Sequence, residues 1–431
     1  MLQTTSSPSP SPSSILFENE SRTVVVIDVP RSIEEAQEPL RRDSDADVVP
    51  RRLTAPRRHL LSAAPPPTEA YPPPPVPRSE DATLQLSSTD PAAQLAELTT
   101  QAAVGAALHE LHDSGFPAPA VRHEASRPEK EADANDVYYI PTGARYLAGT
   151  IDACRDEFLA EAPCFDLIVM DPPWPNRSAQ RRRRRRGRKL RELSEQRGQT
   201  VNGTDSGYST AGDMASMRDL LSQIPVGAKL ADGGLVAVWV TNKPACVALV
   251  TDPRDGLFRA WGVDWVATWT WLKVTAGTPG PCTGTDTSPE TTTAEVVTGG
   301  VPVVPLDAAW RKPWERVLLG RRRPASTSVT TVPRLPLPSH RVIVGVPDGH
   351  SRKPHLRPLL VPFLSSHPNG EEAVGRPLVG LEVFARSLTA GWWAWGDEVL
   401  LFHHASWWAS NEVVDDAADQ EAPAGAASST P

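Results

Sequence analysis

The chain reads as an α/β protein built on a doubly wound, mostly parallel sheet, and three observations carry that reading. Between about residues 140 and 408 its apolar runs are continuous rather than alternating, the mark of strands buried on both faces. A stripe at helical spacing separates the first two of these runs. Directly after the first run stands Asp171-Pro172-Pro173-Trp174, at the strand end where open α/β sheets collect their ligands.

Taken in order, residues 1–90 read as a mostly disordered leader. Ser-Pro repeats near Ser7–Ser14, the run Pro65-Pro66-Pro67, then Pro72–Pro75 and scattered arginines leave one strand-like island, Thr23–Val29. Residues 91–139 form an accessory segment. Within it Ala92–His112 places Leu95, Leu98, Val104 and Leu108 at helical spacing, which predicts a helix that docks on the domain or on a protein partner. The dense region, 140–408, predicts strands at Phe165–Met170, Leu235–Val240, Trp265–Leu272, Arg316–Gly320, Arg341–Val346, Leu378–Phe384 and Glu398–Phe402. Met217, Leu220, Leu221 and Ile224 follow the i, i+3, i+4, i+7 rule of a helix packed on the sheet. Low-complexity inserts interrupt the domain at 177–205, 275–300 and 324–338, and an acidic tail, 409–431, is expected to be disordered. No internal repeat is apparent.

Composition narrows the classes. The 431 residues include 45 prolines, far above the usual share, so much of the chain is expected not to pack. A formal net charge of −8 excludes a globally basic nucleic-acid binder, and any such footprint must be local. One candidate exists. Arg177–Arg197 holds eleven basic residues, Arg181, Arg182 and Arg183 among them, against Glu192 and Glu195. Such a run is either a solvated or nuclear-import segment or, hinged on the rim of a pocket, an attractor of phosphates. Cys154, Cys164, Cys246 and Cys282 show no paired spacing, so neither a zinc site, nor any other metal, nor a disulfide framework is indicated. No secretory signal and no membrane-length apolar window is visible. An intracellular, soluble protein is expected, in the nucleus first and the cytoplasm second.

The motif after the first strand suits one chemistry. The exocyclic nitrogen of adenine or cytosine is a poor nucleophile because its lone pair is delocalised into the ring. Asp171 can accept one of its N–H groups and the backbone carbonyl of Pro172 the other, with Pro173 freezing that carbonyl's direction. Trp174 would then offer a stacking face, worth about 1–3 kcal/mol per base. Together they would aim the nitrogen in line at a methyl donor, by proximity and electrostatic preorganisation rather than covalent catalysis. The plainer reading of the same residues is a strand stopped by prolines and a tryptophan that caps the core.

With its colinear companions the motif becomes specific. In order they are Thr150-Ile-Asp152, Phe165–Trp174, Tyr208-Ser209, Val238-Trp-Val-Thr-Asn-Lys243, Trp269-Thr-Trp-Leu-Lys273, Arg311-Lys-Pro-Trp-Glu315, Ser351-Arg-Lys-Pro354, Leu381-Glu-Val-Phe-Ala-Arg386 and Gly391-Trp-Trp-Ala-Trp-Gly-Asp-Glu398. Over roughly residues 140–405 the chain thereby resembles the eukaryotic adenine-N6 methyltransferases, the family of the messenger-RNA adenosine methyltransferase's catalytic subunit, with most likeness to the methyltransferase-like protein 4 branch. The resemblance implies a Rossmann-like fold, S-adenosylmethionine as cofactor, and a catalytic strand that precedes the cofactor strand in sequence. It implies that Asp171, Pro172, Pro173 and Trp174 are catalytic, that Ile151 and Asp152 approach the cofactor's adenine, and that Lys353 reaches its carboxylate. Glu382, Arg386, Asp397 and Glu398 would hold the ribose and neighbouring groups, and Tyr208 and Lys273 would lie on substrate loops. RNA or DNA with an accessible adenine would be the partner, RNA first. Ser387, Asp397 and Arg352 depart from the family's usual residues, which bears on cofactor affinity and substrate preference. The alternative is a subunit that keeps the fold but has lost turnover and serves as a nucleic-acid-binding scaffold.

Overall fold

A computed structural model describes residues 13–39, 58–62, 65–72, 90–117, 137–175, 213–277, 300–308, 311–323, 335–349, 352–364 and 378–410. In chain order these hold β1 (Ile15–Glu18), β2 (Val24–Ile27), α1 (Val29–Ala36), β3 (Arg58–Leu60), α2 (Pro91–Asp113), β4 (Arg145–Ala148), α3 (Ile151–Glu161) and β5 (Phe165–Met170). Then follow α4 (Met214–Ser222), β6 (Leu230–Val240), α5 (Pro244–Thr251), β7 (Val263–Lys273), β8 (Trp314–Arg322), β9 (His340–Gly345), β10 (Gly380–Val383), β11 (Trp393–Gly396) and β12 (Trp408–Ser410).

Among the described residues one ten-stranded sheet dominates, in the order β1-β2-β9-β7-β8-β6-β5-β10-β11-β4. Pairing is parallel from β6 through β5, β10 and β11 to β4, and again from β2 through β9 to β7. It is antiparallel on both sides of β8 and between β1 and β2. The expected doubly wound, mostly parallel α/β architecture is therefore what the chain adopts. From β5 the chain moves on to β6, on one side, whereas from β10 it moves on to β11, on the other. The junction of β5 and β10 is thus a topological switch point, with a crevice beyond its carboxyl ends.

The continuous apolar run of β5 is explained by burial on both faces. Phe165, Ile168 and Met170 join a core with Phe158 of α3, Met217 and Leu221 of α4 and Leu249 of α5. Leu167 and Val169 enter the opposite layer with Trp239, Trp269, Trp271, Phe363 and Trp392. Helix α4 confirms the Met217/Leu221 stripe, and Ile224 just beyond it is also buried.

Several elements differ from expectation. The strand-like island in the leader is β2, and it is no island: its four residues are buried and pair in parallel with β9. Backbone partners far away in sequence stabilise a segment that its own neighbourhood gave no sign of folding. Helix α2 forms, but it docks through Val104, Ala107 and Leu111 against Leu272, Val342 and Val344, while Leu95 and Leu98 are 66% and 62% exposed. Only its carboxyl half lies over the sheet. The strand expected at Glu398–Phe402 is a turn, and the strand at that end is β11, whose Trp-Ala-Trp-Gly sequence is buried throughout. Its start is set by Gly391, whose φ of 72° suits glycine. No helix among the described residues is long and apolar enough to cross a membrane.

Candidate active site at the switch point

Strand β5 carries its chain between β6 and β10 and releases it at Asp171, in register with Met170 paired to Val238 and to Val383. On the neighbouring strand Phe384 takes a left-handed backbone, φ 59°, a conformation that costs a non-glycine residue about 1 kcal/mol. Its N–H donates to the Trp395 carbonyl at 2.7 Å. That turn folds the chain back so that Arg386 returns over the strand end. Strain at such a place is characteristic of functional sites.

The cleft that results is lined by Asp171, Lys353, Glu382, Arg386, Trp239 and Phe384, with Trp392, Phe402 and Ile33 among its apolar walls. It encloses about 610 Å³ of non-protein space, part of it open to solvent. Lys353 Nζ stands 3.5 Å from Asp171 Oδ1 and Arg386 Nη2 3.7 Å from Asp171 Oδ2. Lys353 also donates to Glu315 Oε2 at 2.5 Å, and Lys273 pairs with the other oxygen of Glu315. Charges therefore alternate along Lys273, Glu315, Lys353, Asp171 and Arg386.

Burial and pairing compete at each of these groups. Burial pushes the Asp171 carboxyl up, against the pull of Lys353 and Arg386. Burial would also raise Glu315, but Lys353 and Lys273 override it and hold that carboxyl down at about 2. Burial opposes the charge on Lys353, yet Asp171 and Glu315 outweigh it and the ammonium is held above its ordinary value. Asp171 and Glu315 thus act together in keeping Lys353 charged. Glu382 is pushed up to about 7, by burial first and by the nearby Asp171 second.

The sequence-predicted residues are brought together in part. Asp171, Lys353, Glu382 and Arg386 share the cleft, and Lys273 joins them through Glu315. Ile151 is buried and Asp152 exposed at the start of α3, at the carboxyl end of β4. Asp397 and Glu398 follow β11 beside them, where Gly149 N–H donates to the Gly396 carbonyl at 3.1 Å. Asp397 and Glu398 thus lie two strands away from Asp171 in the order β5-β10-β11-β4, and Ile151 and Asp152 three. Tyr208, Arg181, Arg182 and Arg183 lie outside the described residues. The last described residue before the basic insert is Pro175, whose carbonyl accepts from Lys243 Nζ.

Two details of the motif depart from the sequence reading. The Pro172 carbonyl already accepts the Trp174 N–H at 2.8 Å, leaving one lone pair of two. Trp174 offers no free stacking face: it is 7% exposed, packs into the core, and donates its indole N–H to the Trp239 carbonyl at 2.7 Å. A buried indole needs a hydrogen-bond acceptor, and the end of β6 supplies one. Among residues that sequence reasoning passed over, Glu315 had a signal, since it closes one of the colinear segments. Ile33 had none, because it sits in a stretch that reads as leader.

The side chains present fit a nucleoside that bears an amino acid. Cations at Lys353 and Arg386 suit a carboxylate, an acceptor at Glu382 suits hydroxyls, and Trp239, Phe384, Trp392 and Phe402 supply apolar wall. Residues 165–398 of this chain match the MT-A70 family. The chain belongs to the MT-A70 family. It is 40% identical over 395 residues to the N6-methyladenosine RNA methyltransferase MTA1 of Cryphonectria parasitica, covering 92% of this chain and 94% of that protein. With the MTA1 protein of Pyricularia oryzae it shares 35% identity over 434 residues, 92% of this chain and 96% of the other. With the N(6)-adenine-specific methyltransferase METTL4 of Homo sapiens it shares 30% over 281 residues, 64% of this chain and 46% of that protein. As an MT-A70 protein the chain is a methyltransferase, and S-adenosylmethionine is its cofactor.

Proposed function

We propose that this MT-A70 methyltransferase methylates the N6 nitrogen of adenine in nucleic acid, with RNA as the first substrate class and DNA as the second. The observation that carries the reading is Asp171 at the β5 carboxyl end, facing a cleft shared with Lys353, Glu382 and Arg386. The cofactor supplies a methyl group on a sulfonium. Asp171 accepts one N–H of the exocyclic amine, and the lone pair left on the Pro172 carbonyl accepts the second, which localises the nitrogen lone pair for attack. Bound there, the cofactor would supply the methyl group and keep the sulfur as the departing thioether, while water would take the amine's surplus proton. Lys353 and Arg386 hold the cofactor's carboxylate and its neighbouring polar groups. Glu382 with Asp397 and Glu398 hold ribose hydroxyls, and Ile151 and Asp152 bound the adenine end. Trp174 acts as a brace that fixes the Pro-Pro turn against β6.

A stacked duplex hides the amine, so the target is single-stranded or flipped out. The likeness to two RNA-methylating MTA1 proteins over nine-tenths of the chain supports RNA. Arg181, Arg182 and Arg183, with Tyr208 and Lys273, would serve the strand on either side of the base, and a nucleus is the compartment where such a substrate is met. The deciding experiment is mass spectrometry of nucleosides after incubating RNA and DNA with isotopically labelled S-adenosylmethionine. Labelled N6-methyladenosine is expected from RNA. Label in the deoxynucleoside alone would reverse the substrate order, and none in either, despite measurable cofactor binding, would favour the scaffold alternative.

A further inference from the structure

Helix α1 is the feature that the reaction leaves unused. Asp28 caps it by accepting the Arg31 N–H at 3.0 Å, and Pro30 occupies its first turn, as helix starts favour. It cannot drift far, because β2 ends at Ile27, just before that cap. Its Ile33 lines the same cleft as Asp171, Lys353 and Arg386.

The helix is tied to both chain segments that carry the cleft's cations. On one side His355, two residues beyond Lys353, donates its backbone N–H to Ser32 Oγ at 2.9 Å. Arg357 reaches the last carbonyls of the helix, Glu35 and Ala36, where a cation also complements the helix dipole. On the other side Gln37 Nε2 donates to the carbonyl of Leu388 at 3.1 Å, two residues beyond Arg386. Ala390 N–H donates to the Ala36 carbonyl at 2.8 Å. A contact of 2.8 Å between His355 Nε2 and Thr389 Oγ1 closes the ring.

We propose that α1 is a positioning element of the cofactor cleft: Ser32, Ala36 and Gln37 set the separation of Lys353 from Arg386, and Ile33 contributes wall. The proposal rests on the reading of this cleft as the S-adenosylmethionine site. It makes a segment of apparent leader part of the enzyme's binding machinery, supplied by the chain itself.

The test uses the full chain and calorimetry with S-adenosylmethionine, comparing Gln37→Leu and Ser32→Ala with Val104→Ala. The last variant opens the core under α2, none of whose buried residues lines the cleft, and serves as a control for lost stability alone. Each α1 variant is expected to weaken cofactor binding about tenfold, the equivalent of one lost hydrogen bond, and to raise the cofactor's KM with the acceptor's KM unchanged. Val104→Ala is expected to lower Tm without changing the affinity. Undiminished binding by both α1 variants, or an equal loss in Val104→Ala, would overturn the inference while leaving the cofactor reading intact. No heat with the unaltered chain would overturn both.

Discussion

Strands β5 and β2 are alike in almost everything except their surroundings. Both are short apolar runs, both pair in parallel within one sheet, and both are buried almost completely. Strand β5 ends in a motif with chemical meaning and stands in a dense region. Strand β2 lies among serines, prolines and arginines, and its partner β9 is more than three hundred residues away. Local composition reports how a segment behaves alone, whereas the sheet reports what it finds to pair with. The two disagree most where the partner is most distant.

Replacing Val25 by aspartate should break the comparison outright if the leader is dispensable. Val25 is fully buried, so an unpaired carboxylate there should cost about 3 kcal/mol or more and abolish cooperative thermal unfolding near the wild-type Tm. An unchanged melting curve would show that β2 contributes nothing to the fold.

A smaller effect sharpens the view of β10, the strand beside β5. The folded-state pKa of Glu382, about 7, lies above the ordinary 4.5, so between those values the folded protein holds a proton that the unfolded chain has lost. Stability from this group is full below about 4.5, falls as pH rises to about 7, and is level above that. Glu382→Gln should remove that slope from denaturation curves measured across the window. The same slope in wild type and variant would place the titration elsewhere.

The smallest effect is expected on α2, which shows the comparison within one helix. Leu98→Ser should change stability by less than about 0.5 kcal/mol in urea unfolding, because Leu98 is 62% exposed. A loss beyond about 1 kcal/mol would mean that the amino half of α2 is covered in solution.

Much of the fold was legible because buried parallel strands announce themselves as unbroken apolar runs. Phe165–Met170 is the clearest case, and its motif pointed to Asp171. The pairing of β5 with β10 was not legible from periodicity, since any apolar strand could have filled that place. Strand β11 was missed because its tryptophans read as a motif rather than as sheet. The buried state of Trp174 matches the plainer of its two readings, which sequence could not decide between: an aromatic at a strand tip looks the same whether it faces a ligand or closes a core. Glu315 and Ile33 show the limit most plainly. Each belongs to the site through contacts made across the fold, with Lys353 in one case and the cleft wall in the other.

The central claim is that the Asp171 carboxylate grips the amine that receives the methyl group. Its most direct test pairs single-turnover methyl transfer with calorimetric cofactor binding for Asp171→Ala. Loss of one preorganised acceptor predicts a fall in the transfer rate of about 100-fold or more, with cofactor affinity changed only a few-fold. Full-rate transfer by that variant, with adenine N6 as the product site, would contradict the account.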